Sequence, residues 1–199
     1  MKKIYILFLT LFVCCATFAQ LSGVGIRSNL LTWAVGSPGI GVDLKWNKRY
    51  LAAVDGNFGD WKIGKDERRF RHSSVGMEVR RYFSDGTPCG VNPNGDPYRG
   101  MYIGIDGRYH DVNNTWFGNN KEGRYITAGL VLGYTFRMIH SGWSVDAGIG
   151  AGYQHQDYTR FEWYPPVGMN RKIGEKTKNT FGLTHLSVSL TYTFNLKKQ

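Results

Sequence analysis

Apolar and polar residues alternate strictly from His185 to Leu196. Leucine, valine, tyrosine and phenylalanine occupy the even-numbered positions, and histidine, serine, threonine and asparagine occupy the odd-numbered ones. A period of two indicates a β-strand whose two faces meet different surroundings. The strand ends on aromatic and apolar residues almost at the C-terminus, which is typical of the closing strand of a membrane barrel.

Seven further segments alternate in a similar way, separated by clusters of glycine, asparagine, aspartate and proline. No long stretch has the 3.6-residue period of a helix, and no linker divides the chain. The predicted strands are Val24 to Trp33, Gly39 to Trp46, Arg49 to Phe58, Ser73 to Phe83, Gly100 to Asp111, Arg124 to Arg137, Gly142 to Asp157 and Thr180 to Leu196. The pattern predicts one all-β domain, an eight-stranded antiparallel up-and-down barrel.

The connections between these strands differ in length at the two ends of the predicted barrel. Two connections at one end, near Asn47 and near His140, are short turns. At the other end we predict three longer loops: Gly59 to His72, Val112 to Gly123 and Tyr158 to Asn179. Short periplasmic turns and long outer loops are typical of bacterial outer-membrane barrels. Two connections depart from this rule: the outer loop Ala34 to Pro38 is short, and the periplasmic segment Ser84 to Arg99 is long.

The N-terminal segment predicts export. Lys2 and Lys3 precede an apolar run from Ile4 to Ala16, and small residues lead to Ala19. This is the pattern of a secretory signal peptide, residues 1–19, cleaved after Ala19, which leaves residues 20–199 as a single barrel domain. As an uncleaved anchor the run falls short of the ~20 apolar residues that a membrane-spanning helix needs. We therefore predict an integral protein of the bacterial outer membrane.

Cleavage would also remove Cys14 and Cys15, so the exported chain would keep only Cys89, within the segment Ser84 to Arg99. A single cysteine excludes an intramolecular disulfide. No apolar run of helix-spanning length follows the signal peptide. A chain of this kind can cross a membrane only as a closed barrel, which satisfies every backbone group in lipid.

The alternation also predicts which side chains enter the barrel. The polar faces carry nine charged residues, near balance between four basic and five acidic groups: Arg27, Asp43, Lys45, Asp55, Glu78, Arg80, Asp106, Arg108 and Asp146. Buried charges persist when they are paired and hydrogen-bonded, so we predict a network of these residues in a narrow, filled lumen. The opposite faces carry apolar residues that would face lipid: Ile40, Val42, Leu44, Met101, Ile103, Ile105, Ala128, Leu130, Leu132, Val145, Ala147 and Ile149.

Aromatic residues collect near the predicted strand ends, as in the two interfacial girdles of membrane barrels. The predicted periplasmic girdle contains Trp46, Tyr50, Phe136, Trp143 and Phe194, and the outer girdle contains Trp33, Phe58, Tyr109, Tyr125 and Tyr153. The alternative interpretation is that these are ordinary strand aromatics, which are common in any β-protein.

Four segments resemble a known family. They are Arg27 to Trp33, Gly39 to Trp46, Val75 to Phe83 and Ala147 to Tyr153. They are similar to the small outer-membrane barrels of unknown function common in Bacteroidetes-type outer membranes, domain-of-unknown-function family 3575. The resemblance covers nearly the whole exported chain and implies an eight-stranded OmpA-like barrel. It implies no activity and no catalytic residues.

A structural or surface-interaction role is the function this pattern favours, without evident catalytic activity. The partners expected are outer-membrane lipid and lipopolysaccharide, with a surface protein or glycan as a further candidate. The loop Tyr158 to Asn179 offers aromatic and basic residues for such contacts, among them Trp163, Tyr164, Arg171 and Lys172. The formal charge of +10 is spread over loops and a terminus rather than gathered into a stripe, which argues against nucleic acid.

A lipid A or phospholipid-modifying enzyme is the first alternative. Histidine, serine and acidic residues lie near the outer ends of the fourth, fifth and seventh predicted strands: His72, Ser73, His110, Asp111, His155 and Asp157. A histidine held by an acid can activate serine or water for attack on an ester. The ordinary alternative is that polar residues collect wherever strands leave lipid. A narrow pore is the second alternative, and no metal or cofactor site is predicted.

Overall fold

The computed structural model describes residues 21–46, 49–63, 68–83, 98–114, 120–138, 142–164 and 169–196. Eight strands and one short helix form its elements: β1 Leu21–Asn29, α1 Leu30–Ala34, β2 Gly39–Trp46, β3 Tyr50–Ile63, β4 Arg68–Tyr82, β5 Gly100–Asn114, β6 Asn120–Arg137, β7 Trp143–Tyr164 and β8 Met169–Asn195. Each strand pairs antiparallel with its neighbours in the sequence, and β8 pairs with β1 to close the barrel. The predicted all-β, eight-stranded up-and-down barrel is confirmed.

Closure fixes the two faces of the wall. The register between β5 and β6 places Asp106 opposite Gly129 on one face and Ile105 opposite Leu130 on the other. Asp106 is 1% exposed, whereas Ile105 is 66% exposed and Leu130 61%. The polar face therefore lines the interior and the apolar face forms the outer surface. We call the end with the short β2–β3 and β6–β7 connections the base, and the opposite end the rim.

The first predicted strand ends earlier than expected, and the prediction of strand structure up to Trp33 is wrong. The Asn29 side chain accepts a hydrogen bond from the backbone N–H of Leu31 at 3.0 Å, and the Thr32 hydroxyl donates to the Asn29 carbonyl at 2.8 Å. Asparagine is a favoured helix N-cap because its side chain satisfies a free N–H of the first turn. The chain therefore leaves the barrel wall at Asn29 and forms α1.

The three predicted outer loops are largely strand, so these boundaries are also wrong. β3 and β4 extend to Ile63 and from Arg68, and β5 and β6 extend to Asn114 and from Asn120. The loop predicted from Tyr158 to Asn179 is a long hairpin of β7 and β8, in which Trp163 lies opposite Asn170. Cross-strand bonds hold it, including Thr177 to Asp157 at 2.7 Å. The lysines and glycines of this segment are typical of a loop, which is why the sequence predicts one. Cross-strand side-chain pairs such as Thr177 with Asp157 stabilise a sheet there instead.

A β-bulge interrupts β8. His185 pairs with Gly150, but the next position along β7, Ala151, pairs with Leu183, so Thr184 is an extra residue. A bulge shifts the alternation by one residue. As a result Leu186 and Leu183 both face outward, at 58% and 60% exposure, although their numbers differ by three.

The predicted signal peptide, residues 1–19, and Cys89 lie outside the described residues. Residues 84–97 of the predicted periplasmic segment also lie outside the described residues, so only Tyr98 and Arg99 of that segment are described. The predicted division into a cleaved segment and a barrel domain stays a prediction.

Candidate functional site

Arg80 lies at the centre of a charge network inside the barrel. Its Nε lies 2.7 Å from Glu78 Oε1 and its Nη1 lies 3.0 Å from Asp146 Oδ1. Residues 78 and 80 share one face of β4, and Asp146 reaches them from β7 across the lumen. Arg80 is 1% exposed. Ionised groups removed from water in this way need both paired charge and hydrogen bonds, and this arrangement supplies both.

A second arginine extends the network towards the rim. Arg27 Nη2 lies 3.4 Å from Glu78 Oε2 and 3.0 Å from Asp55 Oδ1, and its Nε lies 3.4 Å from Asp43 Oδ1. Arg108 also binds Asp55: its Nη1 donates to Asp55 Oδ2 at 2.6 Å and its Nη2 donates to Asp55 Oδ1 at 2.9 Å. A two-pronged arginine–carboxylate contact of this kind fixes both side chains in orientation.

The remaining predicted lumen residues lie in the same interior. Lys45 donates to the Thr193 hydroxyl at 2.9 Å. Asp106 Oδ2 lies 3.4 Å from His185 Nδ1 and 3.9 Å from Arg108 Nη2, and His185 Nε2 lies 2.9 Å from the Ser187 hydroxyl. The structure thus brings all nine predicted charges into the lumen. A cavity of about 20 Å³ remains between Arg27, Arg108 and His185, room for about one water molecule.

Tyrosines close the lumen towards the base, and sequence reasoning missed them. Tyr82 and Tyr102 pack with ring centroids 5.4 Å apart, and Tyr98 meets Tyr82 edge-on at 5.7 Å. The Arg80 guanidinium lies 4.3 Å from the centroid of the Tyr102 ring, a cation–π contact. Tyr82 has the same parity as Arg80, and Tyr102 the same parity as Asp106. That parity is the sequence signal that places both tyrosines inside the barrel.

At the rim, the structure brings together His72 and His110. His72 Nε2 lies 3.3 Å from His110 Nδ1, and the Tyr125 ring stacks on His110 at 4.2 Å. Tyr125 therefore faces the interior, and its assignment to the outer aromatic girdle is wrong because strand parity places it with Thr127. Both histidines lie nearer the rim than Tyr109 and Ile126, the last apolar residues on the outer surface of β5 and β6.

Burial governs the ionisation of this pair. Burial, then the Arg108 guanidinium and His72, lower the pKa of His110 to about 3. Burial and Arg108 also lower the pKa of His72. Both imidazoles are therefore neutral at pH 7, and one of them donates the hydrogen bond that joins them.

The other four catalytic candidates do not join this pair. Ser73 and Asp111 lie opposite each other in the register of β4 and β5, one residue from His72 and His110 respectively. Neighbouring residues of a strand point to opposite faces, so Ser73 and Asp111 face outward and the two histidines face inward. His155 Nε2 lies 3.4 Å from Asp157 Oδ2 on the outer surface, and His155 Nδ1 lies 2.7 Å from Asn179 Oδ1. The six residues form separate pairs on two sides of the wall.

The predicted binding residues of the β7–β8 hairpin occupy strand positions. Trp163 and Tyr164 belong to the end of β7, and Arg171 and Lys172 to the start of β8. Lys172 Nζ lies 2.5 Å from Glu175 Oε1 at an exposed site. This bond and the Lys172 charge lower the pKa of Glu175.

Two negative findings concern the part of the chain that the structure describes. There, no helix is long and apolar enough to cross a membrane. In the same residues, no group of three or more histidine, cysteine, aspartate or glutamate side chains is placed to hold a metal ion.

Comparison with protein families identifies what the chain is related to. A family model matches residues 5–194, nearly the whole length. The chain belongs to the family described as protein of unknown function (DUF3575). The predicted family resemblance is therefore confirmed. No curated protein matches the chain.

One solved structure shows distant similarity, the outer membrane channel DcaP of Acinetobacter baumannii. It is 12% identical to this DUF3575 chain, and the match covers 79% of this chain and 51% of the channel with a TM-score of 0.31. The chain spans about half the length of that channel.

Proposed function

We propose that this DUF3575 protein is a bacterial outer-membrane β-barrel with a sealed interior, which acts as a structural and surface-binding protein. The observation that carries the proposal is the reversed polarity of the wall. Glu78 and Arg80 are buried inside at 1% exposure each, while Ile40 and Ile105 are 66% exposed on the outer surface. A protein that folds in water has the opposite arrangement.

The apolar outer surface is continuous around the barrel. Every strand contributes at least one exposed large apolar residue, among them Ile26, Ile40, Val54, Met77, Ile105, Leu130, Ile149 and Leu186. Soluble monomers rarely expose contiguous apolar patches larger than a few hundred Å². Where the eight strands pair all round, the barrel leaves no unpaired sheet edge, and a lipid bilayer is the surrounding that this apolar surface fits.

Charged residues follow the apolar band on the rim side, which supports lipopolysaccharide as a contact. On β6 the outward residue changes from Ile126, 54% exposed, to Arg124, whose side chain is 73% exposed. On β4 it changes from Val75 through Ser73 to the exposed Arg71. Guanidinium groups at this level suit the phosphates of lipopolysaccharide, because arginine binds phosphate with two parallel hydrogen bonds.

The same geometry counts against the two alternative functions. The paired charges and the tyrosines fill the lumen, which disfavours a pore. His72 and His110 lie on the opposite side of the wall from Ser73, and His155 lies on β7, which β5 and β6 separate from Ser73 on β4. This separation disfavours the lipid-modifying chemistry considered for these residues, since a nucleophile and its base must lie within hydrogen-bond reach. A structural and binding role is left as the function best supported.

Membrane fractionation and gel mobility test this proposal. We expect the protein in the outer-membrane fraction, and we expect unboiled protein to migrate differently from boiled protein, because a folded barrel resists detergent. Recovery from the soluble periplasm, with one mobility before and after boiling, would refute it. Steady single-channel conductance in planar bilayers would replace the sealed barrel with a pore.

A further inference from the structure

The wall of the barrel is not equally high all round. β8 pairs with β7 from Met169 to Tyr192, but it pairs with β1 only from Ser189 to Asn195. β1 stops there because the chain turns into α1. The side of β8 that faces away from β7 therefore has no neighbouring strand among the described residues over much of its rim-side length. We call residues 172–181 of this strand the β8 edge.

The low wall formed by β1 and β2 leaves a notch between β8 and β3. The β3 side of this notch is covered. β3 also rises above its neighbour β2, whose pairing ends at Asn57. There the segment before β2 closes the gap, since Phe58 donates its backbone N–H to the Pro38 carbonyl at 3.1 Å and the Trp61 indole donates to the Gly36 carbonyl. On the β8 side, Asn29 accepts the backbone N–H of Val188 at 3.4 Å, at the foot of the notch. The described residues thus seal one edge and leave the β8 edge open.

The open edge presents backbone groups in a regular order. The Val188 N–H points to the β1 side, and backbone groups alternate along a strand. The bulge at Thr184 shifts this alternation, and a second register shift leaves Ile173 as another extra residue. Between the two, the odd-numbered residues from Glu175 to Phe181 direct their N–H and C=O groups to the open side. Thr177 and Asn179 are among them, and both are exposed. A row of free donors and acceptors is the surface that an added strand recognises.

The side chains select what kind of strand fits. Lys172 is paired with Glu175, whereas Lys176 and Lys178 are exposed and have no carboxylate partner in the described part of the chain. Phe181, at 81% exposure, offers an apolar contact at the foot of the edge. A second copy of the chain would bring the same two lysines against these, and like charges across a sheet destabilise pairing. Acidic side chains on the added strand would instead complement them.

We propose that the β8 edge binds an extended, acidic segment of another protein by β-augmentation. Backbone hydrogen bonds supply the attachment, and Lys176 and Lys178 favour glutamate or aspartate on the incoming strand. The inference deepens the proposed function, because it rests on the rim facing outward from the cell and it names the chemistry of the partner.

Peptide binding to the detergent-folded protein tests the proposal. The probe is a capped peptide of about ten alternating threonine and glutamate residues, long enough to span the β8 edge. Its control carries the same side chains with alternate backbone nitrogens methylated, which removes hydrogen-bond donors and keeps the charge. We expect the parent peptide to bind at least about tenfold more tightly than the methylated one, a difference of about 1.4 kcal/mol.

A matched pair of variants locates the site. Thr177→Pro removes a backbone N–H on the open side, where proline is tolerated because the edge lacks a partner. Thr177→Val keeps that N–H, and both variants lose the hydroxyl contact with Asp157. We expect Thr177→Pro to weaken binding by about tenfold and Thr177→Val to leave it within about twofold. Heat-modifiable mobility of each variant verifies folding.

Three results would overturn the proposal. The methylated peptide binding as tightly as the parent would show simple charge attraction, and equal binding by the Pro and Val variants would remove the site from β8. Self-association of the wild type that Thr177→Pro abolishes would make a second copy the occupant. The peptide assay uses folded protein in detergent, so a failure to bind peptide would not affect the proposal that the protein inserts into the outer membrane. A failed fractionation experiment would likewise not affect the peptide result.

Discussion

Glu78 shows, at the scale of one residue, how the barrel retains charge away from water. Its carboxylate receives two contacts from Arg80, at 2.7 Å and 2.9 Å, and a third from Arg27 at 3.4 Å. Two cations therefore share this anion, in addition to their contacts with Asp146, Asp55 and Asp43. Removing a single partner from a buried ionic group leaves the rest uncompensated, which costs more than the pair itself contributes.

Glu78→Gln is expected to destabilise the barrel strongly. The amide keeps the shape but removes the negative charge between the two guanidinium groups, so we expect a loss of about 3 kcal/mol or more in the free energy of unfolding. Urea unfolding followed by gel mobility measures it. Glu122→Gln, on the exposed outer surface near the rim, is the matched control and should change stability by less than about 0.5 kcal/mol. Equal effects of the two variants would contradict a charge network that holds the fold.

The lowered pKa of His110 predicts that the stability of the folded protein depends on pH. Its pKa in the folded protein is about 3, below the ordinary value of 6.5. Between these values the unfolded chain binds a proton that the folded chain does not, so stability falls as the pH decreases from 6.5 towards 3. His110→Phe keeps a ring against Tyr125 and removes this titration. Wild type should lose up to about 1.4 kcal/mol more per pH unit than the variant between pH 6 and 5, and parallel curves would contradict the prediction.

At the scale of elements, glycines in β6 and β7 make room for the aromatic filling. A Cβ on Gly133 would overlap the Tyr102 hydroxyl and lie 2.6 Å from the Ala147 carbonyl, while one on Gly148 would lie 2.8 Å from the same hydroxyl. The interior is therefore shaped by the absence of side chains on two strands and by one large ring from β5. A filled core of this kind tolerates little added volume.

Gly133→Ala and Gly107→Ala form a matched test of that packing. Gly133 faces the Tyr102 ring, whereas a Cβ on Gly107 would meet nothing within 4 Å. We expect Gly133→Ala to cost about 1–3 kcal/mol in unfolding free energy, since the ring and the strand must shift. Gly107→Ala should be neutral or slightly stabilising. A neutral Gly133→Ala, measured by the same urea unfolding, would show that the interior is loosely packed.

Sequence patterns predicted the strands but not their ends. Alternation needs only neighbouring residues, and the bounds Gly39–Trp46 of β2 match the prediction. The end of β1 depends instead on the Asn29 cap, and the β7–β8 hairpin depends on pairs such as Thr177 with Asp157, which are 20 residues apart. The bulge at Thr184 depends on how β8 meets β7. At each of these three places the local sequence is compatible with more than one structure, and pairing with distant residues determines which one forms.

At the scale of the whole molecule, parity predicted the contents of the lumen but not the contacts within it. Arg80 and Asp146 were both expected inside, yet their contact joins residues 66 apart across the barrel. His185 followed the same parity, but its position between Asp106 and Ser187 depends on the register of closure. The sequence alone could have predicted that His72 and Ser73 face opposite sides of the wall, because adjacent residues of a strand do so.

The outer surface of the whole barrel supplies the last prediction, which separates a membrane protein from a soluble one. Leu130 is 61% exposed in the middle of the outward face of β6. In a bilayer, Leu130→Arg would place a charge in hydrocarbon, and we expect a cost of about 2–4 kcal/mol in refolding equilibria with lipid vesicles. In water the same change would be close to neutral, because the side chain is already solvated.

Glu122→Arg is the control on the same strand and the same face, beyond the apolar band, where Glu122 is exposed. Near the interface an arginine costs about 0–1 kcal/mol. A steep difference between the two positions in vesicles requires a hydrocarbon layer centred on Leu130 and ending before Arg124. Equal, small costs at both positions would mean that the apolar band meets water or another protein, and the outer-membrane assignment would fall with it.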